Sequence, residues 1–187
     1  IEAYTVQLHQ PITDALALKG ISMIAENLEK AYENGEDREA RRNMMIASTI
    51  GGMAFISSNV GAVHAFAETV GAWFDTPHGV ANSLFLPYIM EFNIPACPER
   101  FADIADAMGI EREESMSDEQ YALKAVEYVK ALNRKLNIPT IKEIKGITEE
   151  RFEAIAERSA NNVLSNDNAR KITKEDYLEL LKKACNE

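Results

Sequence analysis

The sequence is short of the features that mark several large classes of protein. Two of its 187 residues are cysteine, too few for a disulfide framework, so we expect a reducing, cytoplasmic location. Its 20 basic residues are outnumbered by 30 acidic ones. The net charge of −10, with no basic patch, repels phosphate backbones and anionic lipid. We therefore expect no nucleic-acid partner and no membrane partner.

The chain also lacks long apolar runs and an obvious start. No apolar run reaches the length of about 20 residues that crosses a bilayer, and no signal-peptide pattern is present. Hydrophobic residues make up 46% and charged residues 27% of the sequence, which predicts one domain over residues 1–187. The first residue is Ile1 rather than methionine, and helical spacing begins at once. This pattern suggests a fragment of a longer protein.

What is abundant is helical periodicity. Apolar residues at three- and four-residue steps predict a helix from Ile12 to Tyr32. Asp37 is expected to cap the next helix, whose segment Met44–Ile56 is apolar nearly all round and is therefore predicted at the centre of a bundle. The Gly51-Gly52 pair inside it indicates packing alone, or the close approach of another backbone or of a ligand.

Capping residues and prolines mark the remaining helices. The predicted set comprises Gly61–Val70, a helix from Pro77 to Phe92 kinked at Pro87, Glu99–Met108, one from Ser117 to before Pro139, and two capped by Thr148 and Thr173. No stretch alternates convincingly as a strand would. The predicted fold is all-α, a multi-helix bundle of about eight helices.

Two of the three histidines, His64 and His78, lie fourteen positions apart in the central stretch. Neutral imidazole is a common ligand of divalent metals, and two imidazoles at a helix–turn–helix junction can converge on one ion. Glu68 lies four residues after His64 and on the same helix face, which makes it the obvious local candidate for a third ligand. Asp75 is a weaker candidate because capping of the helix at Pro77 explains it.

A structural interpretation of the same residues stays open. Histidines in apolar segments are more often hydrogen-bonded core residues than ligands. The alternative function is then a non-catalytic helical module that acts through a partner. The third histidine, His9, is expected at the surface.

The motifs of the central stretch resemble those of a known family. The run Gly61-Ala-Val-His-Ala-Phe-Ala, then Gly71, then Asp75-Thr-Pro-His-Gly-Val-Ala-Asn82 and Pro87 resembles the signature of the iron-containing (group III) alcohol dehydrogenases. Weaker similarity extends to both ends of the chain. The resemblance implies the C-terminal helical domain of such an enzyme, with the fold shared by dehydroquinate synthase.

The resemblance implies a metal site that this chain only half supplies. His64 and His78 would be two ligands of Fe²⁺, with Zn²⁺ as the alternative, and the family's other two ligands, an Asp and a His, would precede Ile1. The parent enzyme would transfer hydride between a small alcohol or aldehyde and NAD or NADP, as a homo-oligomer. With its nucleotide-binding domain absent, the chain alone is expected to be inactive.

The resemblance also implies roles for three further residues. Many members carry a histidine where this chain has Glu68, and a proton-handling role is assigned to that position. A carboxylate there would need a pKa raised by burial to act as an acid near neutral pH. Phe55 and Val60 resemble the wall of the substrate pocket, although core packing explains them almost as well.

Overall fold

The computed structural model describes all 187 residues and is 75% helical, with no strands. It confirms the all-α fold class. Three short 3-10 turns, Ile94–Ala96, Ile141–Glu143 and Val163–Asp167, interrupt the helices. The nine α-helices are α1 (Glu2–Thr5), α2 (Pro11–Glu33), α3 (Arg38–Ser58), α4 (Ala62–Phe74), α5 (His78–Asn93), α6 (Pro98–Ala107), α7 (Asp118–Lys135), α8 (Glu149–Ala160) and α9 (Lys174–Asn186).

No single helix is both long and apolar enough to cross a membrane, and only α3 and α4 taken together meet that composition. The chain divides into two compact units, and each unit is drawn from two separate stretches of sequence. The first unit comprises residues 1–59 and 94–125, and the second comprises residues 60–93 and 126–187.

The first unit is built around the pairing of α2 with α3. As predicted, Asp37 caps α3, its carboxylate accepting a hydrogen bond of 3.0 Å from the Ala40 amide. Gln10 and Thr13 cap α2 by exchanging hydrogen bonds with each other's backbone. These caps fix where each helix begins, and hence which faces of the two helices can meet.

The predicted burial of α3 is wrong. Its large apolar residues are exposed, Met45 by 72%, Met53 by 55% and Ile56 by 80%. The buried face is a stripe of small residues seven positions apart, Ala40, Ala47 and Ala54. Small side chains let two helices approach closely, so α3 packs through its alanines and turns its larger residues outward.

Another backbone does approach α3 at Gly51, since a Cβ added at Gly20 of α2 would lie 4.0 Å from the Gly51 amide nitrogen. A Cβ added at Gly51 or Gly52 would meet nothing within 4 Å. A Cβ at Gly20 in α2 would lie 3.5 Å from the Ile50 side chain and 3.9 Å from the Ala47 carbonyl oxygen. The glycine that permits tight α2–α3 packing is therefore Gly20.

Arg100 ties three helices of the first unit together. Its guanidinium donates to the Tyr4 carbonyl and, at 2.7 Å, to the Asp14 carboxylate, and it lies 3.8 Å from the centre of the Tyr4 ring. The Tyr4 hydroxyl donates in turn to Asp103 at 2.5 Å. Burial and this carboxylate raise the pKa of Tyr4. This network holds the short helix α1 against α2 and α6.

The second unit has a continuous apolar core between α4, α5, α8 and α9. At its centre Phe66 is fully buried, stacked on Phe85 with ring centres 4.2 Å apart and edge-on to Tyr177 at 4.5 Å. Aromatic pairs in these arrangements add about 0.5–1.5 kcal/mol beyond the area they bury. This core fixes the two helices that carry His64 and His78.

Candidate metal centre

The turn between α4 and α5 sets the direction of both helices. Asp75 ends α4 in the left-handed conformation, with φ 52° and ψ 34°. It is therefore a C-cap of α4 and not, as predicted, the cap of the next helix. A Cβ at Gly71 would lie 3.3 Å from the Thr76 carbonyl oxygen, so the turn folds back tightly onto α4. Helix α5 then begins at His78, directly after Pro77.

This turn brings the two predicted ligands together. The ring centres of His64 and His78 are 5.3 Å apart, and the rings are tilted by 54°. With metal–nitrogen bonds of about 2.1 Å and roughly 1.2 Å from nitrogen to ring centre, two imidazoles at a tetrahedral angle have centres roughly 5.4 Å apart. The separation therefore fits two ligands of one ion.

Asn82, one helical turn after His78, holds that imidazole. Its Nδ2 lies 3.0 Å from His78 Nε2 and donates a hydrogen bond of 3.0 Å to the His78 carbonyl. With the amide nitrogen as donor, His78 Nε2 accepts this hydrogen bond, and an accepting imidazole nitrogen is one that can ligate a metal. A metal bound at Nε2 would replace this one bond, while the bond to the carbonyl can stay.

Two buried oxygens beside His78 in the sequence have no hydrogen-bond partner. They are Oγ1 of Thr76 and Oδ1 of Asn82, two residues before and four residues after the histidine. Buried polar atoms are nearly always hydrogen-bonded, so each unpartnered oxygen calls for a specific explanation. A further polar group bound next to His78 would be such an explanation. The imidazole nitrogens and side-chain oxygens at this turn therefore fit a metal site.

Glu68 does not join the two histidines. It lies on the exposed side of α4, where its carboxylate accepts a hydrogen bond of 2.7 Å from Nδ2 of Asn162. No group of three or more His, Cys, Asp or Glu side chains in the chain could hold a metal ion. Two histidines are fewer ligands than a metal site normally needs, and both their ligation of a metal and the proton-handling role of Glu68 stay predictions.

Residues 1–185 match the family model described as the C-terminal part of the Fe-containing alcohol dehydrogenase family. The chain belongs to this family. Among its relatives are alcohol dehydrogenase 4 of Saccharomyces cerevisiae, 40% identical over 187 residues, and the NADPH-dependent butanol dehydrogenase of Clostridium saccharobutylicum, 38% identical over 180 residues. The first alignment covers 98% of this chain and 47% of the relative, and the second covers 94% and 45%.

Solved structures of iron-containing alcohol dehydrogenases and similar enzymes share the fold. A 1,3-propanediol oxidoreductase superposes with a TM-score of 0.93 at 37% identity, and an alcohol dehydrogenase from Oenococcus oeni with 0.93 at 38%. Each match covers 98% of this chain and 48% of the other. The chain therefore spans about half the length of the relatives it matches.

The two residues predicted to line a substrate pocket of this dehydrogenase family differ in exposure. Phe55 lies near the end of α3, in the first unit, and is 48% exposed. Val60 belongs to the second unit and is buried, 9% exposed. The burial of Val60 is that of a core residue, Phe55 is only half covered, and the pocket role of both residues stays a prediction.

Sequence patterns in this chain did not reveal the side-chain amides that hold the helices of the two histidines. Asn133 donates a hydrogen bond of 2.6 Å to the Ser83 carbonyl in α5. Asn168 contacts the first turn of α4, 106 residues away in the sequence. Only Asn82 carried a sequence signal, since its i+4 spacing from His78 places both on one helix face.

Proposed function

We propose that this chain supplies His64 and His78 to the metal site of an NAD(P)-dependent alcohol dehydrogenase or aldehyde reductase. The observation that carries the proposal is the pair of imidazoles 5.3 Å apart, at a turn of a chain that belongs to the iron-containing family. The separation suits one shared ion.

A divalent ion, Fe²⁺ with Zn²⁺ as the alternative, supplies Lewis acidity that polarises an alcohol or aldehyde oxygen. The work of this chain is to bind and orient. His64 and His78 donate nitrogen lone pairs, and Asn82 Nδ2 holds the His78 ring until a metal takes its place at Nε2.

Glu68 is the carboxylate to which the family resemblance assigns a role, and Asn162 donates a hydrogen bond to it. Asn162 Oδ1 accepts from the Leu164 amide at 3.0 Å, which settles the orientation of its side chain, so Nδ2 points to Glu68. Glu68 is exposed rather than buried, so its proton-handling role rests on the family resemblance alone.

The names of the relatives support the substrate class. They include a 1,3-propanediol dehydrogenase of Citrobacter freundii at 38% identity, and a lactaldehyde reductase of Escherichia coli at 37%. One relative is named an NADPH-dependent butanol dehydrogenase and another an NAD-dependent methanol dehydrogenase. We therefore propose a small alcohol or aldehyde as substrate and a nicotinamide cofactor, and no turnover by the 187-residue chain alone.

The proposal is tested on the full-length protein that contains this chain. Purified protein is assayed for reduction of NAD or NADP by propanol and propanediol, before and after removal of metal with a chelator. We expect activity that chelation abolishes and that Fe²⁺ or Zn²⁺ restores. Activity that survives complete metal removal, or turnover by the 187-residue chain alone, would contradict the proposal.

The second candidate is an interaction module that associates with its own copies. Its specific support is the exposed apolar face of α3, where Met45, Met53 and Ile56 recur at helical spacing. Mass measured by light scattering against concentration tests it. Self-association that Met53→Glu weakens, with no metal bound, would favour this candidate over the enzyme.

A further inference from the structure

Asn168 contacts both helices of the histidine pair. It is 2% exposed, and its Oδ1 accepts hydrogen bonds from the Ala62 amide at 3.3 Å and from Asn93 Nδ2 at 3.0 Å. Its Nδ2 donates to Asn93 Oδ1 and to the Arg170 carbonyl, both at 2.8 Å. Ala62 is the first residue of α4 and Asn93 is the last of α5. One side chain thus joins the helix of His64 to the helix of His78.

The start of α4 needs this contact because its own cap residue has no side chain. Gly61 is the N-cap, and it makes no side-chain capping bond. The first amides of a helix have no partner within the helix and are normally served by Ser, Thr, Asp or Asn at the N-cap. Asn168 provides that capping oxygen from a distant part of the sequence.

A small rotation of α4 about its axis would move the His64 imidazole far enough to disturb metal binding. His64 lies two residues after Ala62, in the same first turn. A rotation of α4 by about 10° would move an atom roughly 6 Å from the helix axis by about 1 Å. Metal–ligand distances tolerate deviations of about 0.2 Å. The rotation of α4 therefore has to be fixed closely if both imidazoles are to reach one ion.

We propose that Asn168 is a positioning residue of the metal site, which sets the rotation of α4 relative to α5 and so the separation of His64 from His78. The inference rests on the proposed function. Asn168 does not touch the reacting atoms. Its contribution is to hold the unloaded histidines in the arrangement that the ion requires, so that ordering them costs little on binding.

The chain contains a matched control. Asn27 is also a buried asparagine, 6% exposed, and belongs to an amide pair in the first unit. Its Oδ1 accepts from Asn43 at 3.0 Å, and its Nδ2 donates to the Met23 carbonyl at 2.8 Å. Asn27→Ala removes two side-chain amide bonds, against four at Asn168, from a unit that contains neither His64 nor His78.

The experiment measures the dissociation constant of Zn²⁺ by competition with a chelator, and the melting temperature, in the full-length protein and its variants. We expect Asn168→Ala to weaken Zn²⁺ binding about tenfold and Asn27→Ala to leave it unchanged, although both lower the melting temperature. Asn168→Asp keeps the acceptor for the Ala62 amide but turns a carboxylate oxygen toward Asn93 Oδ1 and the Arg170 carbonyl, so weakened Zn²⁺ binding is expected here too. Asn168→Asp is also the variant to measure if Asn168→Ala does not fold.

Three outcomes decide between the possibilities. A Zn²⁺ affinity that falls for the Asn168 variants alone supports the positioning role. Unchanged affinity in both Asn168 variants, while the unsubstituted protein binds Zn²⁺, overturns this role and leaves the proposed function standing. No Zn²⁺ binding by the unsubstituted protein overturns both.

Discussion

The side-chain amide of Asn133 donates a hydrogen bond of 2.6 Å to the Ser83 carbonyl, the acceptor that Pro87 cannot serve. Proline inside a helix has no N–H, so the carbonyl four residues earlier loses its helical partner. The part-buried Asn133 replaces that partner from α7. Helix α5, which begins at His78, therefore continues through Pro87 to Asn93 without an unsatisfied carbonyl at the break.

Replacing Asn133 with alanine tests this bond. Because the Ser83 carbonyl would lose its donor, we expect Asn133→Ala to lower the free energy of unfolding by about 1–2 kcal/mol, measured by urea denaturation. Asn161→Ala is the control, since Asn161 is exposed and no side-chain bond of it is found. Equal effects of the two substitutions would show that the Asn133 amide does not stabilise α5.

Tyr88 makes the stability of the second unit sensitive to alkaline pH. Burial, helped by the Glu187 and Glu91 carboxylates, raises the pKa of Tyr88 from 10.0 to about 12. Between these values the folded state holds a proton that the unfolded state has lost. The contribution of Tyr88 is therefore complete below pH 10.0 and is lost as the pH rises toward about 12.

We expect the urea midpoint to fall between about pH 9 and about pH 11 by more in the unsubstituted protein than in Tyr88→Phe. Absorbance of tyrosinate near 295 nm gives the pKa directly, as the difference between the two proteins. Ionisation of Tyr88 at its ordinary pKa, or parallel pH profiles, would count against the predicted effect.

The two cysteines should differ in reactivity. Cys97 is 9% exposed, and burial raises the pKa of its thiol to about 11, with Glu99 adding to the shift. At pH 8 roughly one Cys97 in a thousand would then be the reactive thiolate. Cys185 is half-buried and accessible. We expect one thiol per chain to react quickly with a disulfide reagent, and the second only after unfolding.

Cys185→Ser is the matched variant for this labelling experiment. It should remove the fast phase and leave the slow one, counted spectroscopically as thiols per chain. A fast phase that survives the substitution would mean that Cys97 is accessible in the folded protein.

Sequence patterns predicted most of the helices because the signals that set them are local. Asp37 and Thr173 cap α3 and α9 through bonds to amides three residues away. Ser117 and Gln120 bond each other reciprocally at the start of α7, as predicted. Thr148 stands at the predicted N-cap of α8, although its side chain makes no capping bond.

What the sequence did not predict depends on contacts between distant residues. Composition placed α3 at the centre of a bundle, but its alanine stripe is the face that packs, and Met53 and Ile56 lie outside. Asp75 has the residue type of an N-cap, and only its left-handed backbone shows that it ends α4 instead. Asn168 meets Ala62 across 106 positions, a relationship that no local pattern contains.

The central claim, that His64 and His78 hold one metal ion, is tested most directly by the Zn²⁺ dissociation constant of three histidine variants of the full-length protein. His9 is the control, because it is exposed and its Nδ1 lies 3.3 Å from Asp14 in the first unit. We predict that His64→Ala and His78→Ala each weaken binding by about a hundredfold or more and that His9→Ala leaves it unchanged. Binding that is equally tight in all three variants would contradict the claim.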